Sequence, residues 1–472
     1  MTPAVLAATI AASLLLAALP RRVAAIPLVL ITFLTPFGQQ ILIGGAHFYV
    51  TRILAIIGIL RLLLKKDPLT SPTLRISALD RAFCFCSIAA GMGFILRERT
   101  GGAIINQVGT WIDIFGTYFI FRRLLQDRED IYRIIKTFAL VASVLGICMT
   151  YEYLTRNNIF SYLAGYEILP WIRNGRIRAQ GPFGNSITAG AFGATLLPLF
   201  FVLWRSAKAK IWAIAGFIGA SAIAFTSMAS TPITGYLAGI LAIALWPIRN
   251  RMKWVRWSIV AGALGLALVM KAPVWFVITR FNVAGGHAYD RAILIDQTVR
   301  HFSEWWLVGT NTNASWGLYT WDACNQFVFE GLYGGLATLV FFIMIIWQGF
   351  TAIGQSQARM KKVGDKWFFW GLGAALFAQV VVFLGVDYFD QMQMQWYIFV
   401  AILSVATVSA RLAPTRLSNR SNGQLTNERL RAHYLGRLHG APNRAGVPEV
   451  GEGSTTWNSI RNATRSSDFS AG

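Results

Sequence analysis

Long apolar stretches separated by short polar segments dominate the pattern of this chain. Runs such as 211–225 and 336–347 are continuously apolar, without the two-residue alternation that a membrane β-strand shows. A hydrocarbon core about 30 Å thick requires roughly 20 apolar residues for each helical span. The pattern therefore predicts an all-α polytopic membrane protein with about 12–13 transmembrane helices.

The hydropathy runs set the approximate bounds of these helices. They are predicted at about 3–19, 23–36, 47–64, 79–96, 104–122, 134–154, 184–204, 210–226, 231–248, 255–271, 326–349, 367–386 and 392–410. The first two are short enough to form one hairpin or one tilted span. No basic segment precedes the first run, so we expect a retained helix there rather than a cleaved signal peptide.

Basic residues are concentrated in alternate connecting segments. They cluster near 21–22, 65–75, 122–133, 205–210, 249–256 and 359–366. Loops rich in Lys and Arg stay in the cytoplasm, which predicts a cytoplasmic C-terminus. Two long loops, 155–183 and 272–325, then fall on the periplasmic side, and loops of this length usually carry function. The amphipathic pattern of Ala288–Trp306 predicts a short helix near the membrane face.

Composition supports this interpretation and excludes several classes of protein. The 472 residues are 55% hydrophobic and 14% charged, with a net charge of +22. The excess lies in short loops and in an arginine-rich segment, 411–472, that is predicted to be a disordered cytoplasmic tail following a membrane domain over 1–410. Contact with anionic membrane lipids explains this charge, so no nucleic acid partner is expected. Cys84 and Cys86 point to different sides of a helix, and no metal site is predicted.

The two long loops predicted to be periplasmic contain arginine, although basic residues are usually kept on the cytoplasmic side. Seven arginines fall in the two long loops, at positions 156, 173, 176, 178, 280, 291 and 300. A guanidinium group remains charged and binds phosphate through two parallel hydrogen bonds. These residues therefore suggest a clamp for a diphosphate. Anchoring to lipid headgroups, or ion pairs with Asp290, Asp296 and Glu304, is the alternative.

Two helix beginnings carry further candidates. Asn185 opens the helix at 184–204, where free N–H groups favour an anion, although the small residues there also suit close helix packing. Asp322 and Asn325 stand at the mouth of the helix at 326–349, with Glu330 deeper along it. A carboxylate near several arginines could accept a proton from a hydroxyl group, and a structural ion pair is the alternative. Arg52 and Arg61 lie within the third predicted helix, close enough to its ends to reach the interface.

Three motifs together resemble a known family. They read Arg178-Ala-Gln-Gly181-Pro-Phe183-Gly-Asn185, then Arg291 followed by Trp306-Leu-Val-Gly309-Thr-Asn, then Cys324-Asn325-Gln-Phe327-Val-Phe-Glu330-Gly331-Leu-Tyr-Gly334. Their order over about 170–350 resembles the superfamily of O-antigen ligases and Wzy-type polysaccharide polymerases. Cys324 stands where the family often has a histidine, and Gly309-Thr-Asn replaces a Gly-x-Gly turn.

The resemblance implies a glycosyltransferase that needs neither metal nor cofactor, at the outer face of the bacterial inner membrane. Its donor would be a glycan on undecaprenyl diphosphate, used for surface polysaccharide or exopolysaccharide biosynthesis with other assembly proteins as partners. Arg176, Arg178, Arg291 and Asn185 would bind the diphosphate. Asp322, or else Glu330, would be the acceptor-side base, with Asn325 orienting the acceptor sugar. A transporter or flippase of a lipid-linked or anionic solute, or a membrane scaffold, is the competing interpretation.

Overall fold

The computed structural model describes residues 1–65, 75–173, 175–205, 209–281, 288–318, 320 and 322–412, with backbone alone at 253, 256 and 281. Its helices are α1 Pro3–Ala18, α2 Arg21–Leu34, α3 Val50–Leu64, α4 Ala78–Glu98, α5 Gly101–Leu124, α6 Arg128–Thr155, α7 Ser161–Ala164, α8 Ser186–Trp204, α9 Lys210–Thr226, α10 Ser230–Ala244, α11 Met252–Val269, α12 Ala288–Arg300, α13 Phe302–Trp305, α14 Gln326–Arg359, α15 Val363–Phe383 and α16 Gln391–Leu412. Short 3-10 helices cover Trp246–Arg251, Val274–Phe281 and Ala314–Trp316. The predicted tail lies outside the described residues from position 413 onwards.

The helix predictions agree closely with these bounds. Apart from the short α7, α12 and α13, every helix matches one of the predicted segments. The amphipathic segment at 288–306 is present as α12 and α13. One boundary was wrong, because residues 47–49, predicted as helix, form a strand that pairs with residues 40–42. Gly44 and Gly45, both at positive φ, close that hairpin, and such a turn favours strands over helix.

Six helices are long and apolar enough to cross a membrane, among the residues that the structure describes. They are α4, α6, α8, α14, α15 and α16. The pair Trp257–Val269 and Val274–Arg280, bent by 101°, would be a seventh span. Helices α1, α9 and α10 are apolar but shorter. The chain is thus a multi-pass helical membrane protein, and the count of 12–13 spans stays a prediction.

The helices pack most closely at crossings where one of them has a glycine. A Cβ on Gly219 of α9 would lie 2.3 Å from the Ala142 carbonyl oxygen of α6. Gly93 of α4 similarly meets the backbone of Gly334 in α14. Small residues at such crossings let helix backbones approach within a membrane. The α8 helix is buried along almost its whole length, so it forms the centre of the bundle.

One end of the bundle is held by ion pairs, and we call it the paired end. It consists of Arg21, Asp80, Arg122, Arg128, Asp130, Arg133 and Asp365. Asp130 binds Arg21 at 2.7 Å and Arg133 at 2.6 Å, and Asp80 binds Arg122 at 3.2 Å. Arg61 donates here to the carbonyls of Leu16, Ala17 and Leu19, so it caps the C-terminus of α1.

Two small hairpins mark the other end, which we call the hairpin end. The strands are β1 Gln40–Ile43, β2 Ala46–Tyr49, β3 Trp171–Arg173 and β4 Arg176–Arg178, each pair antiparallel. The Phe37 N–H donates to the Pro182 carbonyl, and the Gln391 amide donates to the carbonyls of Thr35 and Pro182. These bonds join the connections after α2, after α7 and before α16. The 28 residues of α6 run from one end to the other.

Candidate functional site

The loop that carries Arg178 is fixed by a buried carboxylate. Glu152, near the end of α6 and 1% exposed, accepts the backbone N–H groups of Gln180 and Gly181 at 3.1 and 2.8 Å. Asn158 donates to the Gly181 carbonyl at 2.8 Å. Gly181 has a φ of +60°, which favours glycine over other residues. The protein itself therefore uses the N–H groups of this turn, and their main effect is to position the preceding strand.

Arg178 ends β4 as a buried arginine, and among the described residues no carboxylate accepts a hydrogen bond from it. Its Nε donates to the Ser227 carbonyl at 3.2 Å, and the side chain is 8% exposed. Burial, followed by the like charges of Arg173 and Arg291, lowers the pKa of Arg178 to about 10. The group still carries its charge at neutral pH, but in surroundings that an added anion would make more favourable.

Arg291 reaches the same place from the second long loop. It lies in α12, whose Leu294 is buried with Val328 and Leu332 of α14. The Arg291 Nε is inaccessible and has no hydrogen-bond partner among the described residues. Burial lowers the pKa of Arg291, and Arg173 lowers it further, whereas nearby acidic groups oppose the change. Arg173, Arg178 and Arg291 thus form one group, which we call the arginine cluster.

Acidic residues stand beside the arginine cluster. Asp322 is exposed. Its Oδ2 accepts a hydrogen bond from the Cys324 Sγ at 2.9 Å. Burial and then the Asp322 charge raise the pKa of the Cys324 thiol, so it is not an activated nucleophile. Asp387, in the connection between α15 and α16, lies near Asp322; burial and then the charge of Asp322 raise the pKa of Asp387 to about 7.

Asp387 is a residue that the sequence analysis did not select. A signal for it exists, since Asp387 and Asp390 are the acidic residues of a short connection between two strongly apolar helices. What the sequence does not show is that this connection folds back to the start of α14. Asn325 makes that link, because its amide donates to the Leu384 carbonyl at 3.3 Å.

The remaining predicted site residues occupy helix beginnings or the exposed surface of β4. Asn325 is 1% exposed, and its Oδ1 accepts the N–H groups of Phe327 and Val328, so it caps α14. Asn185 caps α8 in the same way through the Ile187 N–H at 2.8 Å. Arg176 is exposed in β4, opposite Arg173. The structure therefore brings Arg178, Arg291 and Asp322 together, while both asparagines begin helices.

Glu330 is not among the neighbours of the arginine cluster. Its carboxylate accepts from the Gln326 amide at 2.8 Å. Its other neighbours are Cys86, Tyr333 and Tyr397, which come from α4, α14 and α16. It stands within the helix bundle, and its role as a base stays a prediction without support from these contacts.

Helix α14 is interrupted at a glycine, and a turn of the second long loop packs there. Gly335 has a φ of +80°, and the helix is interrupted there. The Leu336 N–H donates to the Trp306 carbonyl at 2.7 Å, and the Thr310 N–H donates to the Leu332 carbonyl at 2.8 Å. Arg97 donates to the Tyr333 carbonyl at 2.8 Å. The Trp306–Thr310 turn therefore docks onto the break and holds the second loop in place.

His301, in the second long loop, makes local contacts. His301 stacks on Trp316 and contacts Glu304 at 2.7 Å, which is a structural arrangement, and His287 lies outside the described residues. Within the described part of the chain, no three His, Cys, Asp or Glu side chains are grouped as metal ligands would be. No protein-family model matches the chain, and no curated protein is found to be similar. The resemblance to a family accordingly depends on the motif residues alone.

Proposed function

We propose that this protein is a metal-independent glycosyltransferase of the O-antigen ligase or polysaccharide polymerase type. It would transfer or polymerise glycans linked to undecaprenyl diphosphate at the outer face of the bacterial inner membrane. The observation that supports this best is the arginine cluster. Arg173, Arg178 and Arg291 come from two separate loops; the charges of Arg173 and Arg291 disfavour the charge of Arg178, and that of Arg173 also disfavours the charge of Arg291. A diphosphate at the membrane surface would relieve that repulsion.

The chemistry needs a leaving group, a nucleophile and a proton acceptor. The hydroxyl oxygen of the acceptor sugar attacks the anomeric carbon of the donor, and the bond from that carbon to the diphosphate oxygen breaks. The arginine cluster stabilises the negative charge that develops on the leaving undecaprenyl diphosphate, which lowers the barrier. The hydroxyl proton passes to a carboxylate beside the cluster. Asp387, with a pKa raised to about 7, is well matched to that task.

Asp322 remains the alternative base that the sequence suggested. It is exposed and accepts a hydrogen bond from Cys324, whereas Asp387 is more buried and feels the charge of Asp322. The charge of Asp322 acts on Asp387, so the two carboxylates lie close to one another. Replacing them one at a time, by Asp322→Asn and Asp387→Asn, separates the two assignments.

The proposed orientation puts the hairpin end in the periplasm and the C-terminus in the cytoplasm. Arg21, Arg122, Arg128 and Arg133 all belong to the paired end, and basic residues are retained on the cytoplasmic side. No nucleotide donor is needed on the outer side, because the sugar–diphosphate bond supplies the driving force. Membrane lipids and other polysaccharide-assembly proteins are the further partners of this proposal.

A transporter or flippase is the second candidate, since α14 is broken and α11 is followed by a sharp bend. Transporters use such interruptions to aim free backbone groups at a substrate. At the α14 break, Arg97, Thr310 and Trp306 already bind the carbonyls of Tyr333 and Leu332 and the N–H of Leu336. The break therefore favours a structural role, and the enzyme remains the stronger proposal.

Binding to the carrier lipid tests the donor site. The full chain in lipid nanodiscs is titrated with undecaprenyl diphosphate, and intrinsic tryptophan fluorescence reports binding. Arg178→Lys and Arg291→Lys keep the charge but lose the planar fork, so we expect affinity to fall by about tenfold or more. Arg300→Lys is the matched control, because Arg300 lies on the same helix with 67% of its side chain exposed. Equal affinity in all four proteins would refute the arginine cluster as the donor site.

Deletion of the gene in its host tests the reaction. Loss of long surface polysaccharide with accumulation of single lipid-linked repeats identifies a polymerase. Complete polymer retained on undecaprenyl diphosphate identifies a ligase. Unchanged polysaccharide and unchanged carrier-linked intermediates would contradict both forms of the proposal.

A further inference from the structure

A polar cavity lies at the hairpin end. It has a volume of about 270 Å³ and is bounded by the end of α2, the beginnings of α3 and α16, and one face of α5. Its lining includes Phe37, Tyr49, Asp113, Asp390, Gln391 and Tyr397. None of the three arginines of the cluster is among the residues that line it.

Two buried acceptor oxygens at this cavity have no donor. Gln391 is 6% exposed, and its Nε2 donates to the carbonyls of Thr35 and Pro182 at 3.2 Å each. Those two bonds fix the orientation of the amide, and its Oε1 is left without a partner among the described residues. The neighbouring Asp390 Oδ2 is also inaccessible and unpartnered there. Buried acceptors in this condition need hydrogen-bond donors, and a ligand in the adjoining cavity would supply them once a small movement of the lining exposes the two oxygens.

The charge of the cavity disfavours an anion. Arg52 is its cationic lining residue, and it binds Asp113 through Nη2 at 2.7 Å and Nε at 3.1 Å. Arg52 also donates to the His47 carbonyl at 2.6 Å, so its donors are engaged by the protein. Asp390 adds a further carboxylate, which leaves the lining without excess positive charge. This is the opposite of the arginine cluster, and a phosphate would gain little here.

Aromatic rings and hydrogen-bonding groups together suit a sugar. Phe37, Tyr49 and Tyr397 offer apolar faces for the C–H surface of a pyranose ring, while Asp390 and Gln391 offer acceptors for its hydroxyl groups. Small-molecule sites are commonly built in this way, with an apolar wall and a few placed polar groups. Cation binding by Asp390 would need further oxygen ligands around one point, and the described residues show no such acidic group of three.

The cavity is also next to the loop of the arginine cluster. A Cβ added to Gly184 would lie 3.4 Å from the Asp390 Oδ2 and 3.0 Å from the Phe37 ring. Gln391 holds the Pro182 carbonyl of the same loop. The segment that begins with Arg178 therefore packs against Phe37, Asp390 and Gln391, which line the cavity, and Asp387 and Asp390 share one short connection.

We propose that this cavity is the subsite for the acceptor glycan, with Asp390 and Gln391 accepting hydrogen bonds from its hydroxyl groups. The assignment rests on the proposed function, since an acceptor sugar has meaning only for a transferase. It gives the two sites different chemistry, a diphosphate at the arginine cluster and an uncharged sugar in the cavity. Asp390 is a binding residue in this proposal, whereas the proton goes to the carboxylates beside the cluster.

Binding of an oligosaccharide tests the cavity directly. The probe is the repeat-unit oligosaccharide released by mild acid from the lipid-linked intermediates of the host, and calorimetry on the full chain in nanodiscs measures its affinity. Asp390→Asn removes the charge and retains a residue that tolerates the local φ of +53°. Thr110→Phe adds a ring to the cavity from α5. We expect both to weaken glycan binding by about tenfold, with undecaprenyl diphosphate affinity unchanged.

Arg178→Lys is the reverse control. We expect it to weaken binding of undecaprenyl diphosphate and to leave glycan binding unchanged. Wild-type glycan affinity in both Asp390→Asn and Thr110→Phe would overturn the proposal, as would absence of glycan binding by the wild-type protein. Sodium protection of Asp390 from carbodiimide, without protection by the glycan, would overturn it in favour of a cation site. Glycan binding that depends on Asp390 in a protein that ignores undecaprenyl diphosphate would support the cavity and refute the donor site alone.

Discussion

Two buried arginines, Arg122 at the paired end and Arg178 at the hairpin end, have contrasting partners. At the paired end, Arg122 is 6% exposed and binds the Asp80 carboxylate, which also accepts hydrogen bonds from Tyr118 and Ser404. At the hairpin end, Arg178 is 8% exposed and donates to a backbone carbonyl, with two further arginines nearby. Burial is almost equal, so it does not distinguish an arginine paired with a carboxylate from the arginine that we propose to bind a ligand. The groups that surround each guanidinium do.

The largest expected effect concerns which end faces outward. In a variant without the native cysteines, Tyr162→Cys places an exposed thiol at the hairpin end and Lys361→Cys places one at the opposite end of the chain's membrane spans. A membrane-impermeant maleimide added to intact cells should label the first and not the second, because basic loops stay in the cytoplasm. Labelling after permeabilisation is the control for reactivity. The reverse pattern would place the arginine cluster in the cytoplasm and refute the outer-face reaction.

The next effect is on stability at the paired end. Asp80→Asn keeps the shape but removes the charge that Arg122 binds, so a buried cation loses its partner. We expect the free energy of unfolding to fall by about 3–5 kcal/mol. Asp365→Asn is the matched control, since the Arg128–Asp365 pair is about one-third exposed and should matter much less. Equal losses in the two variants would mean that burial does not set the strength of these pairs.

Helix positions were predictable because the bilayer imposes a length on apolar segments. The predicted bounds of α9, 210–226, equal the observed ones, since a basic segment precedes this strongly apolar run and a short segment with two serines follows it. The same rule could not predict the hairpin at 40–49, where an apolar strand resembles an apolar helix over so few residues. Nor could it predict the break at Gly335, which depends on a turn around Trp306 that docks from a different part of the chain.

The candidate site was predictable only in part. Arginine in loops otherwise poor in lysine indicated Arg178 and Arg291, and the structure brings them together. Asn185 and Asn325 were noticed because helix beginnings are visible in sequence, but their side chains cap α8 and α14. Asp387 required knowledge of how the connection before α16 folds back on α14. Tertiary contacts of this kind leave no local periodicity in the sequence.

The pH dependence of transfer is a sharper test of the hairpin end. A base with a pKa raised from 3.8 to about 7 is protonated in acid, so the rate should rise about tenfold per pH unit up to pH 7 and then level off. Asp387→Asn should remove the pH-dependent transfer. Because the Asp322 charge contributes to the raised pKa, Asp322→Asn should move the profile to lower pH and retain activity. Abolition of transfer by Asp322→Asn, with Asp387→Asn active, would instead identify Asp322 as the base.

The smallest effect is the stability change when the arginine cluster loses one charge. Arg178→Met retains an unbranched side chain of similar reach, gives up one hydrogen bond to the Ser227 carbonyl, and removes both the buried charge and its repulsion with Arg173 and Arg291. The lost bond costs about 1 kcal/mol and the relieved repulsion offsets it, so we expect unfolding free energy to change by less than about 1 kcal/mol. Arg122→Met, at the paired end, strands Asp80 and should lose about 3–5 kcal/mol. Thermal unfolding in nanodiscs, followed by tryptophan fluorescence, compares the two directly.

Undecaprenyl diphosphate should raise the melting temperature of the wild type and of Arg122→Met but not of Arg178→Met, because a ligand stabilises only the protein that binds it. If Arg178→Met is as unstable as Arg122→Met, then Arg178 is a structural arginine and the contrast between the two ends does not hold.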